Sequence, residues 1–137
     1  MAFTLTTDLK VSGLRLYATG VSLAGDSNSN VVNIEGFHRP SLTGRIASWA
    51  SAPGGDGRVR VTISNNGTDF DWATQQDSIN GNIALHSPDR GSISAGGATS
   101  AAATVGRFLQ VQWEESAGGS NTVSAGTMDI EVWLPRY

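Results

Sequence analysis

Two kinds of side chain in this sequence are able to perform acid–base chemistry, namely paired carboxylates and histidines. Asp69 and Asp71 stand two residues apart, and a strand would place both carboxylates on one face, as a glycosidase pair requires. They adjoin an Asn-Gly turn, however, where a solvated surface is the expected setting. His38 and His86 are far apart, and no Gly-x-Ser-x-Gly, His-Glu-x-x-His or phosphate-binding glycine motif accompanies them. We therefore expect no catalytic residues and no enzyme activity.

The segment 26–30, Asp-Ser-Asn-Ser-Asn, carries oxygen ligands at alternate positions, as the start of an EF-hand calcium loop does. The sixth and twelfth positions of such a loop are glycine and glutamate, whereas this chain has Val31 and Phe37 there. No flanking helix is predicted. A polar surface turn is the expected structure, with no metal and no cofactor. A calcium site completed by residues from elsewhere, such as Glu35, is the alternative.

The composition excludes several classes of function. Charged residues are 15% of the 137, against about 25% in an average globular protein, and the net charge is −3. With so few charges and a negative net charge, we expect neither a basic surface for nucleic acid nor electrostatic attraction to a membrane. The absence of cysteine excludes disulfides and thiolate metal sites. The first residues show no basic stretch followed by an apolar run, so we expect no signal peptide and synthesis in the cytoplasm.

The basic residues are almost all arginine. Lys10 is the single lysine among nine basic residues. Arginine is enriched at protein–protein interfaces, because its planar guanidinium is easily desolvated and forms bidentate hydrogen bonds. This bias favours an interaction surface, although a GC-rich genome would produce the same bias.

Alternating polar and apolar residues predict strands at 58–63, 109–113 and 128–134. Weaker strand signals cover 3–7, 13–21, 31–37, 45–50 and 82–86, with Gly, Asn, Asp, Ser and Pro between them. No segment shows a sustained helical period, and the alanine-rich stretch 95–105 is expected to be a loop. These signals predict an all-β, two-sheet antiparallel sandwich, most simply a jelly roll, as a single domain over residues 1–137. An immunoglobulin-like sandwich is the nearest alternative.

Successive side chains of a strand point to opposite faces of the sheet, so the sequence predicts which face each residue occupies. Trp113 falls on the predicted core face, whereas Trp133 falls on the opposite face beside Asp129 and Glu131. An outward tryptophan is apolar area that a partner, or a loop of the same chain, has to cover. The predicted core comprises Val59, Val61, Ile63, Leu109, Val111, Trp113, Met128, Ile130, Val132 and Leu134.

The sequence Ser64-Asn-Asn-Gly-Thr-Asp-Phe70 predicts a tight hairpin, since Asn66-Gly67 permits positive φ at both central positions. The run 59–70 resembles the hairpin of discoidin-like carbohydrate-binding sandwiches and of sialidase Asp-boxes. It departs from the Asp-box in having asparagines near the expected aspartate and a spacing one residue short. In those families the hairpin is architectural, so the resemblance supports the β fold.

The whole chain resembles the small jelly-roll cement or decoration proteins of tailed bacteriophages. The likeness lies in its size, low charge, lack of cysteine and loops rich in Gly, Ser, Thr, Ala and Asn. It implies a virion protein on the capsid surface that binds the major capsid protein across subunit junctions. It also implies a homo-oligomer, either a dimer or a trimer, without nucleic-acid or membrane partners.

On that interpretation, Trp133 and several arginines form the contact surface. Arg58 and Arg60 project from the face opposite Val59 and Val61, so both could contact a partner at that face. Residues 1–7 would be an arm that pairs with a neighbour's sheet edge. The candidate arginines are Arg39, Arg45, Arg58, Arg60, Arg90, Arg107 and Arg136.

Two other roles stay open. One is a carbohydrate-binding module, in which Trp49, Trp72 and Trp133 provide stacking platforms and Asn, Asp and Arg provide hydrogen bonds. The other is a phage tail or baseplate component, which the sequence does not distinguish from a shell protein.

Overall fold

The computed structural model describes residues 2–51, 55–87, 106–116 and 122–137, and these contain strands and no helix. The strands are β1 (Ala2–Phe3), β2 (Thr6–Leu9), β3 (Gly13–Ser22), β4 (Ser27–Ser29), β5 (Val32–Asn33), β6 (Ser41–Ser51), β7 (Gly57–Ser64), β8 (Asp71–Ile79), β9 (Ala84–Ser87), β10 (Phe108–Glu114) and β11 (Val123–Pro135).

The strands form two sheets that pack face to face. The first sheet has the order β1-β4-β10-β7-β8, with β5 also pairing with β10, and the second has the order β2-β3-β11-β6-β9. Every pairing is antiparallel except that of β1 with β4, which is parallel. The predicted two-sheet sandwich is confirmed, and its strand order is compatible with a jelly roll.

The core lies between the sheets, as the alternation predicts. All ten residues assigned to it from the sequence are buried, and none is more than 3% exposed. Trp113 is the largest of them, and its indole Nε1–H donates to the carbonyl of Leu23 at 3.1 Å. Gly57 lies directly against this ring, because a Cβ there would come within 2.0 Å of Trp113 Cη2. A side chain at position 57 would therefore displace the largest group of the core.

The N-terminal residues close one side of the sandwich. Strand β1 pairs with β4 at the edge of the first sheet, and β2 pairs with β3 at the edge of the second. Leu5 lies between them, 3% exposed, and its N–H donates to Asn30 Oδ1 at 2.8 Å. In the described residues 2–7, β1 and β2 pair with β4 and β3 of the same chain, and the pairing of an N-terminal arm with a neighbour's sheet edge stays a prediction.

The other side is closed by β8 and β9, which belong to different sheets. The hydroxyls of Thr74 and Ser87 hydrogen-bond to each other, and Ser87 Oγ donates to the Gln75 carbonyl at 2.9 Å. The N–H of His86 donates to Gln76 Oε1 at 2.8 Å. Polar contacts thus join the two sheets on this side.

Several segments differ from the sequence expectations: β8 (Asp71–Ile79) was not predicted, and the strand predicted at 31–37 is reduced to β5 (Val32–Asn33). Residues 27–29, predicted as a turn, form β4, and the hairpin after β7 is longer than a two-residue turn. Gly67 has φ of 78°, but Asn66 is not among the described residues with positive φ. The reason is that Ser64 Oγ and Asn66 Oδ1 each accept two backbone N–H groups, which stabilises a longer loop. The predicted loop at 95–105 lies outside the described residues.

Replacing Leu5 with alanine should lower the free energy of unfolding by about 2–4 kcal/mol, since it removes a buried side chain at the point where the chain passes from one sheet to the other. The same substitution at Leu9, which is 63% exposed, should change it by less than about 0.5 kcal/mol. Urea unfolding followed by tryptophan fluorescence measures both values. Similar effects for the two variants would contradict the inference that the burial of Leu5 helps to hold the two sheets together.

Candidate interaction surface

One end of the sandwich gathers several turns, and we call it the loop end. It comprises residues 10–12, 34–40, 65–70, 106–107 and 135–137, which connect or end strands of both sheets. Backbone hydrogen bonds tie these segments together. The N–H of Arg136 donates to Ser12 O at 3.2 Å, that of Tyr137 to Gly36 O at 3.2 Å, and that of Ile34 to Arg107 O at 2.8 Å. The loop end is therefore one continuous surface.

Exposed apolar side chains gather at this end. Leu9 is 63% exposed, Val11 98% and Tyr137 69%, and all three lie in or next to the loop end. Val31, at 42%, is the remaining large exposed apolar residue of the described part of the chain. Single exposed apolar residues are ordinary on protein surfaces, but a group of them at one place is typical of a contact site.

Arg136 holds the apolar turn in position. Its Nε donates to the carbonyl of Val11 at 3.1 Å, and its Nη2 donates to that of Lys10 at 3.4 Å. Its guanidinium lies over the Phe37 ring, 5.0 Å from the centroid. This arginine thus joins the end of β11 to the turn between β2 and β3.

Trp133 lies on the outer face of the second sheet, as predicted, and is half-buried. Its ring covers Gly13 on β3, where a Cβ would come within 2.6 Å of Trp133 Cζ2. The same chain therefore covers part of the ring, and the remainder borders the loop end.

Arg58 and Arg60 project from the outer face of the first sheet, as predicted, but are engaged within the chain. Arg58 Nη2 donates to Glu114 Oε2 at 2.6 Å, and its Nη1 lies 3.4 Å from Asp77 Oδ1. Arg60 Nε donates to Gln75 Oε1 at 2.8 Å, and its Nη1 to Glu114 Oε1 at 3.4 Å. A partner at this face would have to compete with these contacts.

The other candidate arginines divide by position. Arg39 and Arg107 lie in the loop end with Arg136, and Trp133 borders it. Arg45 lies on β6, opposite Asp129 of β11, on the outer face of the second sheet. Arg90 lies outside the described residues.

Ion pairs also neutralise the outer face of the second sheet. Arg15 Nε donates to Glu131 Oε1 at 2.6 Å, and Asp8 Oδ2 lies 3.8 Å from Arg15 Nη1 and 3.0 Å from Lys10 Nζ. The hydrogen bond to Glu131 raises the pKa of the Arg15 guanidinium above its ordinary value. The guanidinium also lies 4.0 Å from the centroid of the Tyr17 ring. The outer faces of both sheets thus carry paired charges, with Arg45 exposed beside them, whereas the loop end carries exposed apolar groups next to Lys10, Arg39, Arg136 and the Glu35–Arg107 pair.

The candidate catalytic groups are not brought together. Asp69 accepts a hydrogen bond from Asn66 in the loop, and Asp71 accepts one from the backbone N–H of Trp72. The ring of His38 stacks on Tyr137, with centroids 4.6 Å apart, while His86 is exposed on β9.

The candidate calcium ligands also diverge. Asp26 Oδ1 accepts from the N–H of Glu115 at 2.9 Å, Asn30 Oδ1 accepts from Leu5, and Glu35 pairs with Arg107. Within the described segments, no three His, Asp or Glu side chains are grouped so that they could hold a metal ion.

The tryptophans proposed as a sugar platform lie on separate surfaces. Trp49 on β6 packs against the core, and its Nε1 donates to Ser51 Oγ at 3.2 Å. Trp72 lies on β8 in the first sheet, whereas Trp133 lies on β11 in the second. They do not form a common platform.

Comparisons with known proteins identify no relative. No protein-family model matches the chain, and searches of curated proteins and of solved structures return no significant match. None of the described segments forms a helix that is long and apolar enough to cross a membrane.

Replacing Arg136 with alanine should loosen the turn that carries Val11, because two hydrogen bonds to its carbonyls are lost. The amide of Lys10, which donates to Gly13 O at 2.8 Å, reports on this turn. A loss of about 1 kcal/mol in local stability would speed its hydrogen exchange about fivefold. Replacing the exposed Arg45 with alanine is the control and should leave this amide unchanged. Unaltered exchange in the Arg136 variant would show that the turn is held by other contacts.

Proposed function

We propose that this chain is a structural protein of a virus particle, of the decoration type, which binds the outer surface of a bacteriophage capsid through the loop end. The observation that carries the proposal is the grouping of Leu9, Val11 and Tyr137 in a chain whose sheet faces carry internally paired charges. The major capsid protein is the proposed partner. The decoration role itself comes from the resemblance of the whole chain to such proteins.

The physical properties of protein interfaces support a contact at this end. Interfaces have an apolar centre depleted in charge, with aromatic and arginine side chains enriched. Val11 and Tyr137 supply apolar and aromatic area, Arg39 and Arg107 supply guanidinium groups, and Trp133 extends the surface. A stable contact buries about 800 Å² on each partner. The proposed surface therefore includes the loop end and the adjoining part of the second sheet.

The closed sides of the sandwich also favour contact at an end. Exposed sheet edges pair readily with other strands, and proteins that must avoid such association cover or shorten them. Here β1 and β2 on one side, and β8 and β9 on the other, are short or linked across the sheets. We propose that the protein self-associates as a dimer or trimer when it binds the shell.

Replacing Val11 with aspartate should weaken binding to empty phage capsids at least tenfold, which corresponds to about 1.4 kcal/mol, because a charge would lose its water at the contact. The fold should be unaffected, since Val11 is 98% exposed. Co-sedimentation of the purified protein with empty capsids, over a range of protein concentrations, gives the affinity and the stoichiometry. Light scattering of the free protein gives its oligomeric state.

Val31→Asp is the matched control, because it introduces the same charge at an exposed valine outside the loop end. It should bind capsids like the parent protein. Equal weakening by both variants would show a non-specific effect of charge and would contradict docking through the loop end. Failure of the parent protein to bind capsids, with binding to isolated tails instead, would favour the tail or baseplate role.

A further inference from the structure

A cleft of about 400 Å³ opens within the loop end, beside the apolar turn. Its walls are Glu35, Gly36, Asn65, Gly106, Arg107 and Tyr137. The cleft is wide open to solvent, so a ligand would lie against its surface rather than be enclosed. The three tryptophans of the alternative carbohydrate-binding role lie elsewhere, so the cleft is a site that the sequence did not indicate.

The backbone of the cleft is fixed by hydrogen bonds between elements. Besides the bonds of Ile34 and Tyr137 described above, the N–H of Arg107 donates to Ser64 O at 3.0 Å. Glycines allow the walls to approach closely. A Cβ at Gly106 would come within 1.9 Å of Ile63 Cγ2, and Gly36 has φ of 92°. The site is therefore formed before any ligand arrives, which lowers the entropic cost of binding.

Tyr137 provides an aromatic face. One face of its ring stacks on His38, with an angle of 2° between the planes, and the side chain is 69% exposed. The histidine supports the ring and leaves the other face open to solvent. An aromatic face of this kind packs well against the C–H groups on one side of a sugar ring.

The two charged side chains among the described residues of the cleft pair with each other. Arg107 Nε donates to Glu35 Oε1 at 2.7 Å, and both side chains are more than half exposed. The guanidinium keeps further N–H donors, the carboxylate keeps its second oxygen as an acceptor, and the Asn65 amide both donates and accepts. Neighbouring hydroxyls of a sugar accept from the guanidinium and donate to the carboxylate at the same time. Because the guanidinium and the carboxylate are paired with each other, a neutral ligand that offers both donors and acceptors fits them better than an ion of either sign.

We propose that this cleft binds a neutral carbohydrate, with Tyr137 as the stacking platform and the Arg107–Glu35 pair, with Asn65, as the groups that recognise its hydroxyls. The inference does not rest on capsid binding. It assigns a ligand to a cleft that shares Tyr137 and Arg107 with the proposed capsid contact, so a glycan and the capsid would compete for these two side chains.

A glycan array with neutral hexose and N-acetylhexosamine oligosaccharides, together with sialylated and sulfated ones, tests the proposal. We expect binding to neutral glycans, followed by titration of the strongest one with NMR detection of backbone amides. The amides of Gly36, Gly106 and Tyr137 should shift. Tyr137→Ala should weaken binding on the order of tenfold or more, whereas Tyr137→Phe, which keeps the ring, should retain it.

Two further variants separate this site from the capsid contact. Tyr17→Ala removes a tyrosine outside the cleft, and Val11→Asp alters the proposed capsid contact; both should bind the glycan like the parent protein. Absence of binding to any neutral glycan, binding to sialylated or sulfated glycans alone, or unchanged binding by Tyr137→Ala would each overturn the proposal. Loss of capsid binding in Val11→Asp with glycan binding intact would show that the glycan does not need the apolar turn.

Discussion

The structure depends on how the edges of its two sheets are closed. An open sheet edge presents unpaired N–H and C=O groups to solvent and to other strands. In this chain two consecutive pairs of strands, β1–β2 and β8–β9, cross from one sheet to the other at opposite sides of the sandwich. Leu5 lies at one crossing, and the Thr74–Ser87 hydrogen bond lies at the other. The sheets are thereby held together along both sides as well as across the core.

The closure of the sides leaves the ends as the open parts of the surface. Turns from both sheets meet at the loop end, and bonds between residues far apart in sequence fix their positions. The Arg136 bond to Val11 joins positions separated by 125 residues. Val11 stays almost fully exposed although it lies in a well-bonded turn. An apolar group that is held rigidly in water loses little conformational entropy when it binds, which suits it to recognition.

The strands with apolar alternation were predictable from the sequence, and those with buried polar residues were not. The alternation of polar and apolar residues in β7, β10 and β11 assigned every predicted core residue to the correct face. Strand β8 buries Thr74 and Gln75, and β4 buries Ser27 and Ser29, so neither shows an apolar period. Their burial depends on partners from distant strands, such as the bond from the Val111 N–H to Ser29 Oγ at 2.8 Å. Such partners are known only once the strands are paired, which is also why the loop end and its cleft were not predicted.

The energy of breaking the Arg58 contacts, compared with the energy gained by burying Val11, indicates which surface is better suited to a partner. Arg58 is 17% exposed in its side chain and bonds to Glu114, and a hydrogen bond to a charged group is worth about 1.5–3 kcal/mol. A partner at that face would have to replace these bonds before it gained anything. Burying a fully exposed valine gains about 1.5–3 kcal/mol without breaking a bond. Among the described residues, the arginine pair that the sequence marked as an interface is engaged in stabilising the first sheet, whereas the loop end offers apolar area that a partner can bury without breaking such bonds.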